Sequence, residues 1–174
     1  MSDLYDKIQS MQGGLEDLAR KIPGFKGYLE KEDRREADKL LREQIVRVFE
    51  SLENRLNQHA KRLVDAGGLA HMERVQSVGS KFRTFIDRVE SAPRGYAGLF
   101  DAIKVKEAEL ARLYAFDNAL LDFEGRFEEA IEQFGAAIDA GEGIDAAITA
   151  LDDLTFEANE TFKGRVDVLT ALAV

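Results

Sequence analysis

Residues 40–90 read LLREQIVRVFESLENRLNQHAKRLVDAGGLAHMERVQSVGSKFRTFIDRVE, and this stretch decides the fold. Up to the paired glycines, Leu40, Leu41, Ile45, Val48, Leu52, Leu56, Leu63 and Val64 recur at helical spacing, with charged residues filling the positions between them. Beyond the glycines, Met72, Val75, Val78, Phe82, Phe85, Ile86 and Val89 resume the same period. Gly67 and Gly68 have the character of a helix C-terminal cap, so the spacing predicts helices over 30–66 and 69–90. A two-residue connection cannot cross the length of a helix, and the pair must therefore lie antiparallel.

The same rhythm extends in both directions. Toward the N-terminus, Leu4, Ile8, Met11, Leu15 and Leu18 mark an amphipathic helix over 3–20, weakened by Gly13 and Gly14. Toward the C-terminus, Ile103, Leu110, Leu113, Leu120, Phe123, Phe127, Ile131, Phe134 and Ile138 predict a helix over 99–140. Gly141, Glu142 and Gly143 end it, and Ile148, Leu151, Leu154, Ala158, Phe162, Val166 and Leu169 carry a last helix over 144–173. Both prolines, Pro23 and Pro93, fall between periodic segments, where they break the helix. No run alternates as a strand would. The expected architecture is all-α: one domain over 1–174, an elongated antiparallel bundle like a four-helix bundle, with five helices. The short N-terminal helix is expected to stack near the end of the 69–90 helix and complete the fourth side.

Composition narrows the chemistry. The 174 residues contain no cysteine, which excludes disulfides, thiolate metal sites and thiol nucleophiles and fits a cytoplasmic location. The N-terminus has no basic stretch followed by an apolar run, so neither a signal peptide nor a spanning helix is expected. The formal net charge of -9 argues against binding phosphate backbones, and no nucleic-acid partner is expected. This charge is unevenly divided. Residues 1–94 hold 18 Lys and Arg against 16 Asp and Glu, whereas residues 95–174 hold 6 against 17.

The candidate sites are few. His59 and His71 lie outside any Glu-x-x-His or His-Glu-x-x-His spacing and read as surface or capping residues rather than metal ligands. Asp117, Asp122, Glu124, Glu128, Glu129 and Glu132 crowd one helix, and Glu124, Glu128 and Glu132 share a face at intervals of four. Like charges at that spacing call for compensation, which a basic partner or the cations of the 30–66 helix would supply as well as a metal would. Glu30 with Arg34, Asp38 with Arg42 and Glu43 with Arg47 stand in the favourable i, i+4 order and support an exposed charged helix, with Arg34 and Arg35 at its start. No serine sits in a glycine-framed elbow, and no glycine-rich phosphate loop follows a strand. No catalytic residue, cofactor site or metal site is expected.

The turn Ile22-Pro23-Gly24-Phe25-Lys26-Gly27-Tyr28, running into the charged stretch from Lys31 to Arg42, resembles a group of uncharacterised prokaryotic all-helical proteins over roughly residues 22–47. The resemblance implies an N-terminal helix, a Pro-Gly turn and a long charged helix, and brings no activity. Read from the residues, Phe25 and Tyr28 tuck this loop onto the bundle end or offer it to a partner. The leading functional expectation is a non-enzymatic module that binds a protein, or its own copy, through charged helix faces, with Phe25, Tyr28, Arg34, Arg35, Glu124, Glu128 and Glu132 as contact residues. Two alternatives stand beside it. The N-terminal helix could lie on a membrane surface, or the carboxylates of the 99–140 helix could turn inward to hold a metal or small ligand.

Overall fold

The computed structural model describes residues 16, 19–22, 34–91 and 107–172; side chains in the stretches 34–38, 107–117 and 165–172 are not part of that description. The described chain is all-α, with no strand among the described residues. Helix α1 spans Arg34–Asp65, a 3-10 turn spans Leu69–His71, and α2 spans Met72–Ser91. Helix α3 spans Glu107–Ala140 and α4 spans Ile144–Leu172. The expected helix over 69–90 thus opens as a 3-10 turn, with the His71 amide bonded to the Gly68 carbonyl at 3.1 Å. Of the expected helix over 3–20, Glu16, Ala19 and Arg20 are described and helical. Its stacking, the turn with Phe25 and Tyr28, and the segment 92–106 lie outside the described residues.

Both hairpin turns are closed by the same device. The amide of Gly67 bonds to the Val64 carbonyl at 2.9 Å and that of Gly68 to the Leu63 carbonyl at 2.8 Å, which satisfies the last carbonyls of α1 in a Schellman arrangement. Gly67 sits at φ 83°, a backbone conformation that costs an L-residue roughly 1–2 kcal/mol. At the end of α3 the Gly141 and Glu142 amides repeat this pattern onto the Ile138 and Ala137 carbonyls, and Gly141 and Gly143 both take positive φ.

Contacts divide the chain into two compact units. One comprises 1–45, 91–121 and 161–174; its described buried side chains are Ile22, Leu41, Ile45, Leu120, Leu121 and Phe162. The other comprises 46–90 and 122–160 and contains both glycine turns.

At the centre of the second unit stands Phe49, fully buried on α1. Its ring lies 4.9 Å from Phe85 and 5.8 Å from Phe82 on α2, and 5.6 Å from Phe127 on α3, the last at 82°. Phe82 and Phe127 also meet, at 4.6 Å. Tilted and edge-on contacts of this kind add about 0.5–1.5 kcal/mol each beyond burial. Helix α4 supplies aliphatic and small residues, Ile148, Leu151, Leu154 and Ala158. Its one buried polar side chain among the described residues, Thr155, donates to the Asp152 carbonyl at 2.7 Å and is thereby satisfied. Several sequence assignments shift: Phe49 takes the core position between Ile45 and Leu52, Leu40, Val48 and Met72 are only partly buried, and Val64 is 39% exposed.

Phe49→Ala should lower the unfolding free energy by about 3–5 kcal/mol in urea titrations followed by circular dichroism, because it removes a ring shared by three helices. Phe156, 66% exposed on α4, serves as the comparison, and Phe156→Ala should stay within about 0.5 kcal/mol of the parent.

Candidate functional site

In the unit formed by 46–90 and 122–160, each hairpin is stapled along its own seam. Arg83 on α2 reaches Glu53 at 3.2 Å and Glu50 at 3.6 Å on α1. Arg126 on α3 grips Glu157 on α4 through both guanidinium nitrogens, at 2.8 and 2.5 Å, with its guanidinium 4.9 Å from the Phe123 ring centroid. That bidentate bond holds the Glu157 carboxyl below its ordinary value. Its stabilising effect is therefore present above the unfolded-state value and is lost as pH falls through the folded one.

Between hairpins the pairing follows a ladder. Arg74 meets Asp145 at 2.6 Å, Lys81 meets Asp152 at 2.5 Å, and Arg88 meets Asn159 at 2.8 Å. Each partner is 71 positions along the chain, and the rungs recur every seven residues, so α2 and α4 run parallel. Between α1 and α3, Arg55 meets Glu132 at 3.2 Å and Arg62 meets Asp139, both 77 positions apart and again seven residues from one rung to the next. Arg55 also reaches Glu128 at 2.7 Å. Parallel neighbours place like ends of their macrodipoles side by side, and opposite charges along the seam offset that arrangement. In each of these ion pairs the cation lies on the first hairpin and the carboxylate on the second. Part of the charge division seen in the sequence is thus spent inside the unit.

This pairing answers the question raised by Glu124, Glu128 and Glu132. Arg55 compensates two of the three, while Glu124 is exposed and makes no ion pair among the described residues. Arg34 and Arg35 begin α1, with side chains outside the description, as are Phe25 and Tyr28 altogether. Glu43 pairs with Lys39 at 3.9 Å. Of the carboxylates that could turn inward, Asp122 and Glu124 are exposed and the side chain of Asp117 lies outside the description; no group of three potential metal ligands occurs among the described residues. No helix there is long and apolar enough to cross a membrane.

The α3–α4 seam holds the one like-charge rung among the cross-helix pairs described above. One helical turn beyond the Arg126–Glu157 pair, Glu129 and Asp153 border the same shallow open groove, whose floor is Ala130, Ala150 and Leu154. Both carboxylates are exposed, and Glu129 accepts only the Gln133 amide, at 3.1 Å. The sequence places Glu129 in the acidic cluster but does not by its apolar rhythm set Asp153 opposite it. The antiparallel register implied by the Gly141 turn was the available signal: 126 opposite 157 puts 129 opposite 153.

His59 departs from the surface reading. It is half-buried, between the core residues Leu56 and Leu63 of α1, and its ring lies against Gly135 of α3, where an added Cβ would stand 2.6 Å from Cε1. Phe134 meets the ring edge-on at 6.3 Å. His71 places Nδ1 3.0 Å from Asp145, beside Arg74. No protein-family model, curated protein or solved structure matches the chain, so function is argued from this geometry.

Arg55→Glu sets a third carboxylate beside Glu128 and Glu132 and should lower stability by roughly 0.5–1 kcal/mol in low salt. Added salt should shrink the difference from the parent in paired urea titrations.

Proposed function

We propose that this protein is a non-enzymatic interaction module that receives a basic segment of a partner protein on the groove between α3 and α4. The observation that carries this reading is the opposed pair Glu129 and Asp153, which lacks the cation present at the other seams. Residues 122–160 contain twelve carboxylates and a single cation, Arg126, already engaged by Glu157. A lysine from a partner fits the vacancy in charge and in shape. Its aliphatic stem matches the alanine and leucine floor, and its ammonium group matches the two rim carboxylates.

Such a contact is electrostatically steered and therefore sensitive to salt. The first hairpin is closer to charge balance, with 8 Lys and Arg against 6 Asp and Glu over 46–90, and its exposed face includes Ser51, Asn54, Asn57 and Gln58 on α1 and Gln76, Ser77, Ser80 and Thr84 on α2. The partner is accordingly expected on the second hairpin.

The test uses full-length protein and a fluorescent lysine-rich peptide in an anisotropy titration. Binding should weaken as salt rises and should be lost in the double variant Glu129→Lys, Asp153→Lys. The pair Glu73→Lys, Glu90→Lys changes net charge equally on α2 and should retain it. Equal loss in both variants, or full binding by the groove variant, contradicts the assignment.

A further inference from the structure

We propose that His59 is an acid-responsive latch on the seam between α1 and α3, closing it as a neutral imidazole and loosening it when protonated. The first ground is position. Along α1 the buried positions Phe49, Leu52, Leu56 and Leu63 leave one gap in their three-four rhythm, where the half-buried His59 and Ala60 stand. Across the seam Gly135 is buried and supplies the space for the ring. The half-buried imidazole is therefore a packing element, set against the one residue type without a side chain to displace it.

The second ground is hydrogen bonding. Arg62 lies one turn along and has its Nη1 2.9 Å from His59 Nδ1. A guanidinium can only donate, so this contact requires Nδ1 to be an acceptor and the ring to be neutral, with its proton on Nε2. The other terminal nitrogen of Arg62 donates to Asp139 of α3. His59 thus orients the guanidinium that ties the two helices together. Protonation places a hydrogen on Nδ1, turns acceptor into donor, and sets two cationic groups face to face.

The charged groups acting on the ring are Arg62 and Arg55 from its own helix and Asp139 from α3. Among the described residues α2 and α4 contribute none of the charges that act on it. Partial burial, then the two arginines, hold the imidazole below its ordinary value, with Asp139 opposing. The sign follows from linkage. A histidine whose folded value is depressed binds its proton more weakly than in the unfolded chain, so its share of stability is full above the unfolded-state value and is lost as pH falls below it toward the folded value.

The second histidine provides an internal contrast. His71 and Arg74 repeat the same His-x-x-Arg spacing, and Arg74 likewise joins a carboxylate of the second hairpin, Asp145. His71 Nδ1, however, faces the carboxylate oxygen itself, so it serves as a donor and keeps that bond when the ring is charged. Acid therefore releases the α1–α3 seam near the glycine turns while the α2–α4 seam keeps its grip. This inference is independent of the proposed partner groove.

The test is amide hydrogen exchange on the full-length protein at pH 7.5 and pH 5.0, corrected for the intrinsic pH dependence of exchange. Peptides covering 55–66 and 132–140 should exchange several-fold faster at pH 5.0 relative to those covering 74–89 and 145–160. His59→Gln and His59→Asn carry neutral side chains at both pH values and should abolish the acid response. His71→Gln should leave it in place. An acid response that survives in a folded His59 variant, or uniform loosening of both seams in the parent, overturns the proposal.

Discussion

The contact of Phe49 with rings from two other helices is the constraint on which the rest of the second unit depends. Phe49 meets Phe82 and Phe85 within its own hairpin and Phe127 on the other, and so joins the two hairpins through a single side chain. Exposed ion pairs contribute little each, roughly 0–1 kcal/mol, and cannot hold two hairpins together alone. They can select register. Once the aromatic cluster brings the hairpins into contact, rungs at seven-residue intervals penalise sliding or reversal, since displaced cations would leave their carboxylates.

This division of labour explains the charge asymmetry of the chain. A basic first hairpin and an acidic second one are what two such ladders require, because each seam takes its cations from one side. Part of the excess remaining on the second hairpin, Glu129 and Asp153, lies where no first-hairpin cation has been brought, between α3 and α4. Function is proposed at that place because the internal pairing is incomplete there, and the exposed carboxylates at the rungs are already engaged.

Much of the fold was legible in the apolar rhythm. Phe82, Phe85, Phe127, Ile131 and Phe134 occupy the core as their spacing required, and the glycines at 67, 68, 141 and 143 close the two hairpins. Phe49 was harder to see, because Val48 and Phe49 both satisfy helical spacing between Ile45 and Leu52, and only rings on other helices choose between them. His59 reads as a surface or capping residue for a different reason: a half-buried polar side chain beside the core repeat does not contribute to an apolar count. The ladders could not be read at all. Offsets of 71 and 77 residues depend on which helices become neighbours, which no local pattern encodes, so Arg55 remained a general candidate for neutralising Glu128 and Glu132.

The parallel arrangement of the two hairpins is the claim most open to direct measurement. The chain lacks cysteine, so spin labels can be placed on introduced cysteines alone. Distances by pulsed electron resonance would be compared for Arg74→Cys with Asp145→Cys, Arg88→Cys with Asn159→Cys, and Arg74→Cys with Asn159→Cys. Parallel seams predict two short separations and a third that is longer by about 13 Å, because an axial rise of about 21 Å over fourteen helical residues adds at right angles to an interaxial distance of about 10 Å. A short separation for positions 74 and 159, with longer ones for the first two pairs, would contradict it.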